Sequence, residues 1–240
     1  MLQPRDRLIV ALDVPSASQA RQIVQTIGEA AVTYKIGKQL FTAEGPQVVR
    51  DLVSSGRKVF LDLKFHDIPN TVAGAVKAAA ELGVSMLNVH ASGGSKMLKA
   101  AVEAAEQSFV KPLVLAVTVL TSLSDADLPE LGVSGNLRSQ VLRLAALARS
   151  AGCDGVVASA QEARELRREL GEDFVIVTPG IRPVGSALGD QARVVTPGDA
   201  IGAGATYLVV GRPVIEAPDP ANAAKVMVRD IEQAIAVGSM

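Results

Sequence analysis

Between residues 62 and 71 the chain reads DLKFHDIPNT, which places Asp62, Lys64 and Asp67 within six positions at the end of an apolar run. On a strand, side chains alternate between faces, so an acid and a base two apart are neighbours, with Leu61 and Leu63 turned the other way. Taken alone, such a pair is a salt bridge that neutralises two buried charges. Here Asp13 and Lys35 fall at or near the ends of two other apolar runs, and the set reads instead as a site. An ammonium held among carboxylates is suited to donating a proton, or to stabilising a carbanion as it develops.

Other chemistries fit these residues less well. A Schiff-base lysine needs a free amine, and hence desolvation or a nearby cation, whereas carboxylates at 62 and 67 favour the ammonium. A hard cation held by Asp13, Asp62 and Asp67 would be repelled by Lys64, so no metal site is expected. The two histidines, His66 and His90, are too few for the usual imidazole-rich transition-metal site. Both read as hydrogen-bonded supporting groups. Cys153, the single cysteine, has no partner for an intramolecular disulfide; in AGCDGVV it reads as a small core residue rather than a nucleophile.

The elements that must carry these groups are short apolar or β-branched runs at 8–13, 32–36, 58–64, 85–90, 113–119, 154–158, 174–178 and 206–210. Each reads as a buried strand. Alanine-rich stretches with helical spacing lie between them, closed by glycines such as Gly56, Gly83 and Gly152 at expected helix ends. Eight βα units in 240 residues is 30 residues per unit, which predicts a closed parallel (β/α)8 TIM barrel forming one domain over 1–240. No GxGxxG follows the first strand, so a dinucleotide-binding fold lacks its best signature. In a (β/α)8 barrel the functional groups sit at the C-terminal strand ends, and Asp13, Lys35, Asp62, Lys64, His90 and Thr121 all fall there.

Charge narrows the partners. With 24 basic and 25 acidic residues the formal net charge is -1, so no global field draws the protein to nucleic acid or anionic lipid, and a small-molecule partner is favoured. The start, MLQPRDRLIVALD, has no signal-like pattern, and runs such as LIVAL and LVLAV are too short to span a bilayer. A cytoplasmic protein without membrane contact is expected.

Two loops promise an anion grip. The stretch after the seventh strand, TPGIRPVGSALGDQARV, and the end of the eighth, VVGRPV, supply glycine for close approach and arginine for bidentate contact, where barrels often bind phosphate. Arg212, preceded by Gly211, is the stronger candidate. The segment from Ile181 to Gln191 contains glycine and lacks apolar periodicity, the pattern of a lid, from which Gln191 could reach the phosphate. A second TPG, Thr196 to Gly198, reads as a helix start.

Together, IVALD, DLKFHDIPNT, TPGIR, DQARVVTP and VVGR resemble the orotidine 5'-phosphate decarboxylase family, from the first strand to the last helix. DxKxxD is also found in related barrels that use magnesium, 3-keto-L-gulonate 6-phosphate decarboxylase and hexulose-phosphate synthase, and the accompanying motifs separate this chain from them. The resemblance implies cofactor-free decarboxylation of orotidine 5'-phosphate to uridine 5'-phosphate. It implies that Asp62 lies beside the substrate carboxylate, that Lys64 protonates C6, and that Lys35, Asp62, Lys64 and Asp67 form an array of alternating charge. Asp67, Ile68 and Thr71 would reach into the neighbouring subunit's site, making the active unit a homodimer with shared sites. Asp13 and Lys35 would hold ribose hydroxyls, Thr121 would sit by the pyrimidine, and Arg182, Gln191, Gly211 and Arg212 would line the phosphate and lid region. Segment 122–135 carries no assigned role. The alternatives are a metal-dependent sugar-phosphate enzyme of the same kinship, or a phosphosugar-binding barrel without chemistry.

Overall fold

A computed structural model describes residues 2–183 and 195–238. Its strands are β1 (Leu8–Ala11), β2 (Thr33–Gly37), β3 (Lys58–Phe65), β4 (Met86–His90), β5 (Leu113–Val117), β6 (Gly155–Val157), β7 (Val175–Thr178) and β8 (Tyr207–Val210). All pair in parallel and in chain order, and β8 closes on β1, so the sheet is a barrel. The helices among the described residues are α1 (Ala17–Ile27), α2 (Lys38–Glu44), α3 (Gln47–Ser54), α4 (Pro69–Glu81), α5 (Gly94–Glu106), α6 (Leu137–Ser150), α7 (Ala160–Leu170), α8 (Pro197–Gly202), α9 (Arg212–Ile215) and α10 (Pro220–Gly238). The expected (β/α)8 architecture is present, with each predicted strand within a residue or two of its place. No helix among them is long and apolar enough to cross a membrane.

Local chemistry explains the element starts. Ser16, Asn136, Ser159 and Thr196 each stand before a helix and accept a backbone N–H of its first turn through the side chain, the capping role these residues favour. The second TPG therefore does open a helix. At the other ends, Gly83 and Gly152 adopt φ of 81° and 88°, which other residues reach only with strain.

Alternation along the strands sorts side chains into two cores. Ile9, Ala11, Phe60, Met86, Leu115, Val177, Tyr207 and Val209 form a cluster of their own inside the barrel. Their strand neighbours, among them Leu8, Val10, Tyr34, Ile36, Leu61 and Leu87, pack outward against the helices. Cys153 belongs to that outer core, and burial pushes its thiol up to about 12, as a packing residue requires. At β6 a side chain cannot fit: a Cβ on Gly155 would lie 2.1 Å from the Val175 carbonyl oxygen.

One arginine ties together the strand starts. Arg167 on α7 donates to the Gly204, Gly171, Glu172 and Phe174 carbonyls and to the Thr206 hydroxyl. A planar guanidinium with five N–H donors can serve all of them and an ammonium cannot. We expect Arg167→Ala to destabilise the fold by about 3 kcal/mol and Arg167→Lys to recover less than half of that, read from urea midpoints. An alanine variant of wild-type stability would show the network to be idle.

Candidate active site

Lys35, from β2, faces the barrel axis because Tyr34 and Ile36 on either side pack outward. Its ammonium contacts Asp13 Oδ1 at 2.8 Å and Asp62 Oδ2 at 3.4 Å. The other oxygen of Asp62 takes the Lys64 ammonium at 2.5 Å and the Asn88 side-chain amide at 2.7 Å. Asp13, Lys35, Asp62 and Lys64 thus form a continuous chain of alternating charge at the C-terminal rim. Gly37 makes room for it, since a Cβ there would stand 3.0 Å from the Lys35 ammonium and 3.2 Å from Asp13.

The backbone that presents Lys64 is not a regular strand. The β3–β4 register runs Phe60 to Met86 and Leu61 to Leu87, then resumes at Phe65 to Val89, so β3 holds two extra residues within Asp62–Lys64. Lys64 itself sits at φ 55°, alone among the described non-glycine residues in having positive φ. Simple alternation predicts the Asp62–Lys64 contact, but the contact is made by a bulge, which re-aims side chains where a strand would hold them straight. Asn88 accepts the Lys64 backbone N–H at 2.8 Å. Sequence reasoning missed Asn88 and Gly37. The signal for Asn88 was a polar residue on the inward face of an otherwise apolar strand, MLNVH.

Burial alone would raise the Asp62 pKa, but the Lys35 and Lys64 ammoniums, with hydrogen bonds from Lys64 and Asn88, hold the carboxyl below the ordinary value of 3.8. A carboxylate whose folded pKa is depressed stabilises the fold in full above its unfolded value and loses that contribution as pH falls through the folded one. Asp62→Asn is therefore expected to lower stability at pH 7, with the gap to wild type closing only below about pH 4. Urea titrations at both pH values test this, and an equal gap at pH 7 and pH 3 would contradict it.

The histidines pack together, with ring centroids 5.5 Å apart. Burial, then His66, Lys64 and Lys38, holds His90 below the ordinary imidazole value, so the ring beside the lysine is neutral at pH 7. Among the described residues no group of three or more metal-ligand side chains gathers, and the Lys35 ammonium bridges Asp13 and Asp62.

Other expected site residues are placed as follows. Arg182 is buried, and its Nε has no hydrogen-bond partner. With Asp13, Lys35, Gly180, Gly211 and Arg212 it lines a cavity of about 350 Å³. Thr121 is half-buried beyond β5. Gln191 and most of the expected lid lie outside the described residues. Asp67, Ile68 and Thr71 are exposed. The Asp67 carboxylate accepts the Ile68 N–H at 2.6 Å, and among the described residues no ion pair joins it to Lys64. Within one chain, then, the array is complete except for Asp67. A larger cleft of about 830 Å³, between Ser122 and the first turns of α6 and α7, contains none of these residues.

Barrel and rim define a class: a (β/α)8 enzyme with a lysine–aspartate chain and an arginine-lined cavity at the C-terminal mouth. Residues 6–227 match the model of the orotidine 5'-phosphate decarboxylase / HUMPS family, and the chain belongs to that family. Two relatives named orotidine 5'-phosphate decarboxylase illustrate the likeness. That of Hydrogenovibrio crunogenus is 52% identical over 219 residues, covering 91% of this chain and 93% of the relative. That of Idiomarina loihiensis is 55% identical over 214 residues, covering 89% and 93%. The crystal structure of orotidine 5'-phosphate decarboxylase from Lactobacillus acidophilus superposes with a TM-score of 0.85 at 40% identity, covering 94% of this chain and 99% of that one.

Proposed function

We propose that this protein converts orotidine 5'-phosphate to uridine 5'-phosphate and carbon dioxide, without metal or organic cofactor. The observation that carries the reading is the Lys35–Asp62–Lys64 chain, which fixes an ammonium against a largely covered carboxylate, 14% exposed, at the barrel mouth. The C6–carboxylate bond breaks heterolytically, carbon dioxide leaves, and the electron pair stays on C6. Lys64 then delivers a proton to that carbon and regains one from water.

Such a carbanion is not delocalised by the ring, and catalysis of very slow reactions requires lowering the barrier by roughly 20 kcal/mol. Repulsion between Asp62 and the substrate carboxylate supplies at most about 4 kcal/mol at an effective dielectric of 20, part of which relaxes. The ammonium interacts more strongly with the developing carbanion than with the substrate, and that difference is what raises turnover. Arg182, Gly211 and Arg212 bind the phosphate, with Gln191 joining them from the lid. Asp13 and Lys35 hold the ribose hydroxyls, and Thr121 sits by the pyrimidine. Remote phosphate contacts hold the charged site closed and dry.

The active unit is a homodimer in which Asp67, Ile68 and Thr71 complete the partner's site. What supports this is that Asp67 and Ile68 lie exposed directly after the strand that carries Asp62 and Lys64, with Ile68 67% exposed, and that Asp67 forms no ion pair with Lys64 among the described residues. A cytoplasmic setting fits the unpaired Cys153.

The decisive assay follows loss of the orotate chromophore in the presence of a chelator. Turnover unaffected by chelation supports the reading. Turnover abolished by it would indicate a metal-dependent sugar-phosphate enzyme instead, and binding without turnover a barrel with no chemistry.

A further inference from the structure

Asn88 stands on β4 between Leu87 and Val89, which pack outward, so its side chain enters the barrel, where it is 1% exposed. A primary amide offers a donor at one end and an acceptor at the other. Here Nδ2 donates to Asp62 Oδ1 and Oδ1 accepts the Lys64 N–H, so one side chain is bonded to both members of the acid–base pair. It does so opposite the bulge, where two extra residues of β3 displace Lys64 from the regular ladder. Lys64 adopts φ 55° there, a conformation that costs an L residue free energy and persists only where its surroundings over-determine it.

We infer that Asn88 is a positioning residue of the reaction, locking the Lys64 backbone and the Asp62 carboxylate in the one arrangement that presents the ammonium to substrate. This rests on the decarboxylase reading. Without the amide, the Lys64 N–H loses its acceptor in a partly buried site, and the backbone can relax away from positive φ. The ammonium moves with it. The proposed phosphate contacts, which follow β7 and β8 across the barrel, are untouched. The effect should therefore fall on kcat and leave KM nearly alone.

Two variants test this beside wild type. Asn88→Ala should lower kcat about 100-fold, the scale of an ångström-size misplacement, with KM within about 3-fold. Asn88→Asp keeps an acceptor for the Lys64 N–H but faces Asp62 with a second negative charge. On protonation the introduced carboxyl becomes a donor to Asp62 and restores the amide's pattern. The charged groups around it are Asp62 and Lys64 from β3 and Lys35 from β2, and the titratable ones His90 with its neighbour His66; β5 contributes the apolar Leu115 at that level. All are shared with wild type, so the ratio of variant to wild-type kcat isolates the new group.

That ratio should rise about 10-fold or more from pH 8 to pH 5, while the alanine variant stays low throughout. A wild-type kcat for Asn88→Ala, a KM rise as large as the kcat loss, or a flat Asn88→Asp ratio would overturn the assignment. If Asn88→Ala fails to fold by circular dichroism, the Asn88→Asp ratio decides alone. Wild-type protein that turned over no substrate would instead sink the decarboxylase reading, and this role with it.

Discussion

Lys64→Ala should lower kcat on the order of 10⁵-fold or more, because in the proposed mechanism it removes the proton donor and the cation beside the developing carbanion in one step. Binding of the product nucleotide should weaken far less, since the proposed phosphate grip, Arg182, Gly211 and Arg212, follows β7 and β8 and lines a cavity that Lys64 does not. The variant should fold. Asp62 keeps Lys35 at 3.4 Å and Asn88 at 2.7 Å, so the lost lysine does not leave its partner buried and unpaired, the situation that makes breaking a buried pair so destabilising. Steady-state kinetics on protein with a native melting profile reads the effect. A kcat within 10-fold of wild type would remove the basis of the mechanism, because the proton is assigned to Lys64, while Lys35 is held by both Asp13 and Asp62.

Asp67 gives the second large effect. Asp67→Ala alone should be nearly inactive despite lying outside its own chain's Lys35–Asp62–Lys64 network, and mixing it with Lys64→Ala should restore activity. If each site takes Lys64 from one chain and Asp67 from the other, a mixed dimer has one site with both lesions and one with neither. Random exchange of equal amounts makes half the dimers mixed, so recovered activity should approach about a quarter of wild type. The rise is from almost nothing. Sites contained within single chains would give no recovery however complete the exchange, and mass measurement of the mixed species distinguishes that from failure to exchange. The geometry makes the experiment sharp: the Asp67 carboxylate holds the neighbouring Ile68 N–H at 2.6 Å and lies exposed, so its loss should leave the isolated chain's charge network intact.

Comparing Lys64→Ala with Asp62→Asn also separates the sources of rate. Repulsion of the substrate by Asp62 is limited to a few kcal/mol by screening and relaxation. A large Lys64 effect together with a smaller Asp62 effect would place most of the catalysis in transition-state stabilisation.

Much of this was legible along the chain. Eight apolar runs spaced by helical segments determine a parallel barrel, because each run buries two faces, and glycines such as Gly83 and Gly152 and caps such as Ser16 and Asn136 end or begin helices by local chemistry. The same spacing puts Asp13, Lys35, Asp62 and Lys64 at the mouth. The resemblance carried by DLKFHDIPNT, TPGIR and VVGR names the family that the comparison over residues 6–227 bears out. What only the tertiary structure decided is how the charges meet. Alternation predicts Asp62 and Lys64 side by side on a straight strand; in the fold, β3 bulges, Lys64 turns to φ 55° and Asn88 from the next strand fills the gap. Nothing local marks Gly37, yet a Cβ there would crowd the Lys35–Asp13 pair, at 3.0 Å from the ammonium and 3.2 Å from the carboxylate. Asp67, three residues from Lys64, accepts the Ile68 N–H instead, and among the described residues no ion pair joins the two. Neighbours in sequence share local conformation, whereas register, bulges and contacts across strands are set by packing of residues far apart in the chain, and no local pattern of residue types encodes those.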